Sequence, residues 1–97
     1  MDSLIHEPVR LKAMLALLSE GEVSFSRLVK ITGATEGNLS RHMRKLEDAG
    51  YVEVKKFFEG RRPKTTYRLT QKGEKALKEY IETIENIIKE VKGSGEF

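Results

Sequence analysis

Apolar positions recur every third or fourth residue in some stretches of this chain and every second residue in others, and the change of period divides it into elements. From Val9 to Ser19, Leu11, Met14, Leu15 and Leu18 hold the i, i+3, i+4, i+7 spacing of a helix face. Ala13, Ala16 and Leu17 widen that face until the helix is apolar enough to be covered on two sides. Pro8 suits the first helical position, where a missing N–H costs nothing, and Gly21 ends the helix. Residues 1–7 are expected to be a short extended lead whose Leu4 and Ile5 pack on the body. Val23-Ser24-Phe25 reads as a short extended link, with Phe25 buried beneath the next two helices.

Those helices are Ser26–Thr32, with Leu28, Val29 and Ile31 apolar, and Thr35–Gly50 (TEGNLSRHMRKLEDAG), separated by Gly33-Ala34. Helix, tight glycine turn, helix is the helix-turn-helix signature. In the second of the pair Leu39, Met43 and Leu46 fall together, while Gly37, Arg41, Arg44 and Asp48 fall opposite, flanked by Asn38 and Lys45. Thr35 can cap the free N–H of Asn38, Glu36 complements the positive helix end, and Gly50 suits a left-handed closing residue. His42 lies between the two faces and is read as a packed residue. A short helix with a basic outer face is, by itself, also the pattern of a merely solvated surface.

The segment after this helix favours a functional reading. In Tyr51–Phe58, Val52 and Val54 alternate with Glu53 and Lys55, the period of a half-buried strand, and Thr65–Leu69 is its partner with Tyr67 and Leu69 on one face. The connecting Glu59-Gly60-Arg61-Arg62-Pro63-Lys64 makes a hairpin tipped with two arginines and a lysine, a wing. Phe57 and Phe58 are expected to pack against the hairpin or the core, as aromatics flanking hairpins usually do. Thr70 caps a last helix in which Leu77, Tyr80, Ile81, Ile84, Ile87, Ile88 and Val91 share roughly 120° of one face at 100° per residue. Running about 33 Å at 1.5 Å per residue, it outreaches so small a core: folding back along the first helix would hide its first two turns, and the distal isoleucines favour a second helix to cover them instead. The expected organisation is a winged helix-turn-helix over 1–70, a continuous dimerisation helix over 71–92, and a tail over 93–97 with linker composition, GSGEF, that reads as a cloning remnant.

Composition narrows the functional classes. Ninety-seven residues suffice for one core, and 38% hydrophobic with 34% charged residues describes a soluble globular chain. No run approaches the ~18 apolar residues of a membrane span, and MDSLIHEPVR shows no signal-peptide pattern, so a cytoplasmic protein with no membrane partner is expected. Without cysteine there is no disulfide framework, thiolate metal site or cysteine nucleophile, and His6 and His42 lie too far apart in sequence to argue for a metal. The net charge is only +3, yet it is concentrated: cations and anions balance over 1–34, stand at nine against five over 35–68, and at five against six over 69–97. A localised basic segment is the electrostatic footprint of a phosphate-backbone binder.

The residues Ile5–Leu11 entering the first helix, Gly21–Ser26, Gly37–His42, Leu46–Val52, Gly60–Thr70 and Lys72-Gly73, taken together and in this order, resemble a small single-domain winged helix-turn-helix transcriptional regulator of the MarR/ArsR type. The resemblance covers residues 4 to about 92. It implies a mainly α fold with a small β-hairpin (α+β) and a long C-terminal dimerisation helix. It further implies a homodimer on a pseudo-palindromic double-stranded DNA, with helices 35–49 in successive major grooves and wings 58–65 on the flanking grooves or backbone. Carried onto this sequence, Asn38, Ser40, Arg41 and Arg44 would read base edges, because Arg can fork to guanine and Asn to adenine. Thr35, Lys45, Lys55, Arg61, Arg62 and Lys64 would hold phosphates, which position a protein without reading sequence. Leu77, Tyr80, Ile81, Ile84, Ile87, Ile88 and Val91 would form the dimer seam. The cysteine motif of metal sensors and the extra N-terminal helix of larger MarR proteins are missing, so neither metal control nor a small-molecule effector is supported and no cofactor is expected. The competing reading is a winged-helix protein–protein interaction module; the cations of the wing argue against it. An enzyme is not expected, for lack of a nucleophile–base constellation, a phosphate-cradling loop or a carboxylate pair in an apolar setting.

Overall fold

A helix begins where Pro8 follows an extended Glu7 whose carboxylate accepts the Arg10 N–H at 2.7 Å. This helix, α1 (Pro8–Glu20), is closed by Gly21 at φ +88°, in the region glycine alone enters cheaply. The computed structural model describes residues 1–93, as four helices and one small sheet. Ala13, Met14, Ala16 and Leu17 are the buried apolar residues of α1, whereas Leu15 (40% exposed) and Leu18 (36%) of the expected stripe stand outside. On a helix apolar nearly all round, the inward face is chosen by its partners. Here those partners admit Arg10, 8% exposed, whose Nε donates to the Leu4 carbonyl at 2.5 Å and whose Nη1 lies 2.7 Å from His42 Nδ1.

The stretch expected as a bare link is a strand. β1 (Val23–Ser24) pairs antiparallel with β3 (Arg62–Leu69), Val23 opposite Tyr67 and Ser24 opposite Thr66. β3 also pairs with β2 (Val52–Glu59), so the sheet has three strands in the order β1-β3-β2. Ser24 caps α2 (Phe25–Thr32), accepting the Arg27 N–H at 3.2 Å. The helix therefore starts one residue early, and Phe25 is only half-buried, tilted against Tyr67 with ring centres 6.5 Å apart. Gly33 (φ +72°) then turns the chain into α3 (Glu36–Asp48). Ile5, Met14, Leu28, Leu39, Met43, Leu46 and Leu77 are fully buried and form the centre of the core between the helices and one face of the sheet.

The lead is a turn, not an extended segment. The Asp2 carboxylate accepts the Leu4 and Ile5 N–H groups at 2.9 and 3.2 Å and the Tyr51 hydroxyl, and this turn drives Ile5 into the core. Burial pushes the Asp2 carboxyl up, but its hydrogen bonds with Tyr51 and the two amides outweigh that and hold it below its ordinary value. The same hydrogen bond to Asp2, with burial, pushes the Tyr51 phenol up to about 12. A few residues on, His6 Nδ1 sits 2.7 Å from the Tyr80 hydroxyl.

The last helix, α4 (Gln71–Gly93), is rooted by Thr70. Its hydroxyl donates to the Gly50 carbonyl at 2.6 Å and accepts the Gly73 N–H at 3.0 Å, while its N–H donates to the Tyr51 carbonyl at 3.1 Å. Leu77 and Tyr80, placed on the dimer seam by the sequence pattern, are buried inside the protomer because the root of α4 lies against the core. Ile81 and Ile84 are half-buried beside it, and Ile87 and Ile88 are each 42% exposed. Twenty-three residues span about 34 Å, and the molecule measures 58 × 25 × 21 Å. Its radius of gyration of 15.3 Å exceeds the roughly 12.5 Å of a compact chain this long. Gly93 belongs to α4, and the remainder of the expected tail, 94–97, lies outside the described residues. Among the described residues, no helix is long and apolar enough to cross a membrane.

Candidate nucleic-acid interface

Leu39, Met43 and Leu46 seat α3 on the core, which leaves Asn38, Ser40, Arg41, Arg44 and Lys45 exposed on the outer side. Thr35 starts the helix by accepting the Asn38 N–H at 3.2 Å, with Glu36 in the first turn. Arg41 donates through Nη2 to the Asn38 side-chain oxygen one turn back, so these two sequence-predicted base readers are held together. A guanidinium has five donors, and this bond leaves others for a ligand.

His42 is packed, as its place between the faces implied. Arginine offers only donors, so at the 2.7 Å contact His42 Nδ1 accepts from Arg10 and the neutral ring carries its proton on Nε2. The Glu7 carboxylate 3.8 Å from the same nitrogen is therefore not a hydrogen-bond partner in that state. Burial pushes His42 down, Arg10, Lys45 and Arg41 add to it, and Glu7 opposes. As pH falls below the ordinary value of 6.5, the unfolded chain binds a proton that the folded chain resists, so this residue makes stability decline with acidification. Urea midpoints measured between pH 7 and 5 are expected to fall more in the wild type than in His42→Asn; equal pH slopes would remove His42 from the account.

Between α3 and the hairpin runs an open, mostly polar cleft of about 330 Å³ lined by Ser40, Met43, Arg44, Glu47, Val54, Lys56 and Tyr67. Lys56 escaped the sequence reading, although the alternation Val52, Val54 carried two residues further puts it in phase with the helix-side face. Lys55 has the opposite phase, lining a separate hollow with Glu22, Glu53, Thr66 and Arg68, and its Nζ lies 5.3 Å from the Phe57 ring centre. Glu47 is an anion within an otherwise basic cleft.

At the tip, β2 and β3 run further than expected and leave a two-residue turn, Gly60-Arg61, closed by Glu59 opposite Arg62. Gly60 takes φ +65° and Arg61 does not share the positive φ, the pattern of a II′ hairpin turn. Pro63 and Lys64 thus belong to β3, opposite Phe58 and Phe57, with Lys64 Nζ 3.9 Å from the Glu59 carboxylate. Arg61 and Arg62 are exposed. Phe57 is half-buried as expected, but Phe58 is 74% exposed, because, although in phase with Val52 and Val54, it stands too far along the strand to reach the core.

Three helices with a β-hairpin after the third, and a basic face shared between that helix and the hairpin, define a winged-helix protein. A family model described as winged helix DNA-binding domain matches residues 9–88, and the chain belongs to that family. An uncharacterized protein of Methanocaldococcus jannaschii is 35% identical over 88 residues, 91% of this chain and 96% of that one. Among solved structures, a transcriptional regulator homologue from Pyrococcus horikoshii OT3 superposes with a TM-score of 0.84 at 32% identity, covering 91% of this chain and 87% of that one. A MarR family transcriptional regulator from Silicibacter pomeroyi gives 0.72 at 26% identity, over 90% of this chain and 57% of that one. The fold is that of MarR-type transcriptional regulators, and the resemblance read from the sequence stands.

Proposed function

We propose that the chain is a sequence-specific regulator of transcription that binds double-stranded DNA as a homodimer, α3 in the major groove and the hairpin on the flanking groove. The observation that carries this is the cleft between α3 and the hairpin, where Ser40 and Arg44 face Lys56, with Asn38 and Arg41 exposed on the same helix and Arg61 and Arg62 exposed at the hairpin tip. Asn38, Ser40, Arg41 and Arg44 read base edges; Thr35, Lys45, Lys56, Arg61, Arg62 and Lys64 hold phosphates, whereas Lys55, turned to the other face of the hairpin, is left out of the contact. The exposed isoleucines of α4 pair two protomers and so set two copies of α3 in register on one duplex.

Selection from a random duplex library, followed by salt titration of the enriched sequence, tests the reading. A specific site with a steep salt dependence is expected. Arg41→Ala should weaken binding to that site by about 1–3 kcal/mol and relax one position per half-site, while mixed-sequence duplex is held nearly as before. Equal weakening on both reduces Arg41 to a phosphate contact. Failure to enrich any sequence, with no affinity for mixed duplex, leaves the chain as a protein-binding winged helix.

A further inference from the structure

Phe58 is a large apolar side chain left in water at the far end of the hairpin. A lone exposed aromatic is common, so its surroundings decide what it means. The antiparallel register sets Phe58 directly opposite Pro63, also exposed, and residues paired in this way project from the same face of the sheet. Two residues back in the same phase is Lys56, which lines the cleft with Ser40 and Arg44 of α3. The apolar pair thus lies on the face that α3 serves, and the exposed guanidinium-bearing Arg61 and Arg62 stand beside it.

We propose that Phe58 and Pro63 form an apolar wedge that enters the DNA minor groove beside the site of α3 and partly unstacks one base step there. The inference rests on the DNA-binding reading above. The spacing suits it: at about 3.4 Å per residue, Phe58 lies roughly 14 Å beyond Val54 at the α3 cleft, close to the half-turn of about 17 Å between a major groove and the next minor groove. The chemistry suits it as well. A cationic rim draws the tip to a polyanion, while Phe and Pro are among the side chains that pry apart base steps in a minor groove. Because pyrimidine–purine steps unstack most easily, the wedge selects such a step at a fixed distance outside the bases read by α3. Specificity then extends to base pairs that no hydrogen-bonding side chain touches.

The test compares wild type, Phe58→Ala, Phe58→Trp and the double variant Arg61→Ala/Arg62→Ala on two probes, the duplex enriched by the wild type from a random library and a mixed-sequence duplex of equal length. Phe58→Ala is expected to bind the enriched duplex on the order of tenfold more weakly, the effect of removing one buried phenyl ring, with the salt slope unchanged because every cation on phosphate stays in place. The bend reported by energy transfer between the duplex ends should fall, and a 2-aminopurine placed at the flanking step should lose its brightening. Phe58→Trp should restore both signals. The double arginine variant should instead flatten the salt slope by roughly 0.9 for each phosphate left without its cation. Wild-type binding that Phe58→Ala leaves equally tight and equally bent overturns the wedge while the DNA-binding reading survives. Absence of wild-type binding to either probe overturns both.

Discussion

Replacing Gly73 by alanine is expected to lower the stability of the fold by about 3 kcal/mol or more, at the upper end of what overpacking costs. A Cβ at this position would lie 2.0 Å from the Tyr51 carbonyl oxygen and 2.8 Å from its carbon. Neither atom can swing aside as a side chain would, since Tyr51 O also accepts the Thr70 N–H that roots α4. Alanine brings a helix-propensity gain of roughly 0.5–1 kcal/mol over glycine, too small to offset the clash. A domain of this size holds about 5–15 kcal/mol in all, so the thermal midpoint should drop on the order of 15 °C. Gly37, with no positive φ and nothing within 4 Å of its added methyl, is the control. Gly37→Ala in α3 should leave the midpoint unchanged or raise it. If thermal melts show Gly73→Ala as stable as the parent, α4 does not dock on the Tyr51 backbone.

What the chain shows in its own pattern is what neighbouring residues decide among themselves. Pro8, Gly21, Gly33 and the Thr35 cap act within a turn of where they stand, and the bounds of α1 and α3 are set by them. The inward face of α1 was not legible in the same way. With apolar residues on nearly every side, only the positions of α2, α3 and the sheet decide that Met14 and Leu17 go in while Leu15 and Leu18 stay out. The turn at Asp2 is hidden for a related reason, because its hydroxyl donor, Tyr51, is 49 residues away. Val23 as an edge of the sheet depends on a strand that arrives only at Thr66 and Tyr67, whereas the Ser24 cap, three residues from the Arg27 N–H it accepts, is a local signal of the same kind as Thr35. The candidate interface falls between these cases. Its helix is written in the local pattern, and Lys56 could have been found by extending the alternation of β2 two residues further. The exposure of Phe58 depends on where the core stops, which no local period records.

The proposed pairing of two protomers through α4 is where the largest effect on binding is expected. Leu77 and Tyr80 are committed to the protomer's own core and Ile84 leans on it, so charges there would damage the fold and the dimer together. Ile87 and Ile88 are exposed in the single chain and separate the two effects. Ile87→Glu with Ile88→Glu places four carboxylates per dimer in an apolar seam, where unpaired charge costs several kcal/mol. The dimer dissociation constant should rise at least about a thousandfold, some 4 kcal/mol, while the urea midpoint of the protomer stays near that of the parent at concentrations where both are monomeric. A single α3 addresses one half-site, whereas paired helices about 34 Å apart address two on the same face of a duplex. The variant should therefore lose most of its preference for the two-half-site sequence and keep the weak, salt-sensitive attraction of its basic face. Sedimentation at micromolar concentration decides the first step and competition against mixed duplex the second. A parent chain that already sediments at its monomer mass of 11.1 kDa would remove the seam, and with it the paired half-sites; a dimer unaffected by two glutamates on each α4 would place the seam elsewhere on the molecule.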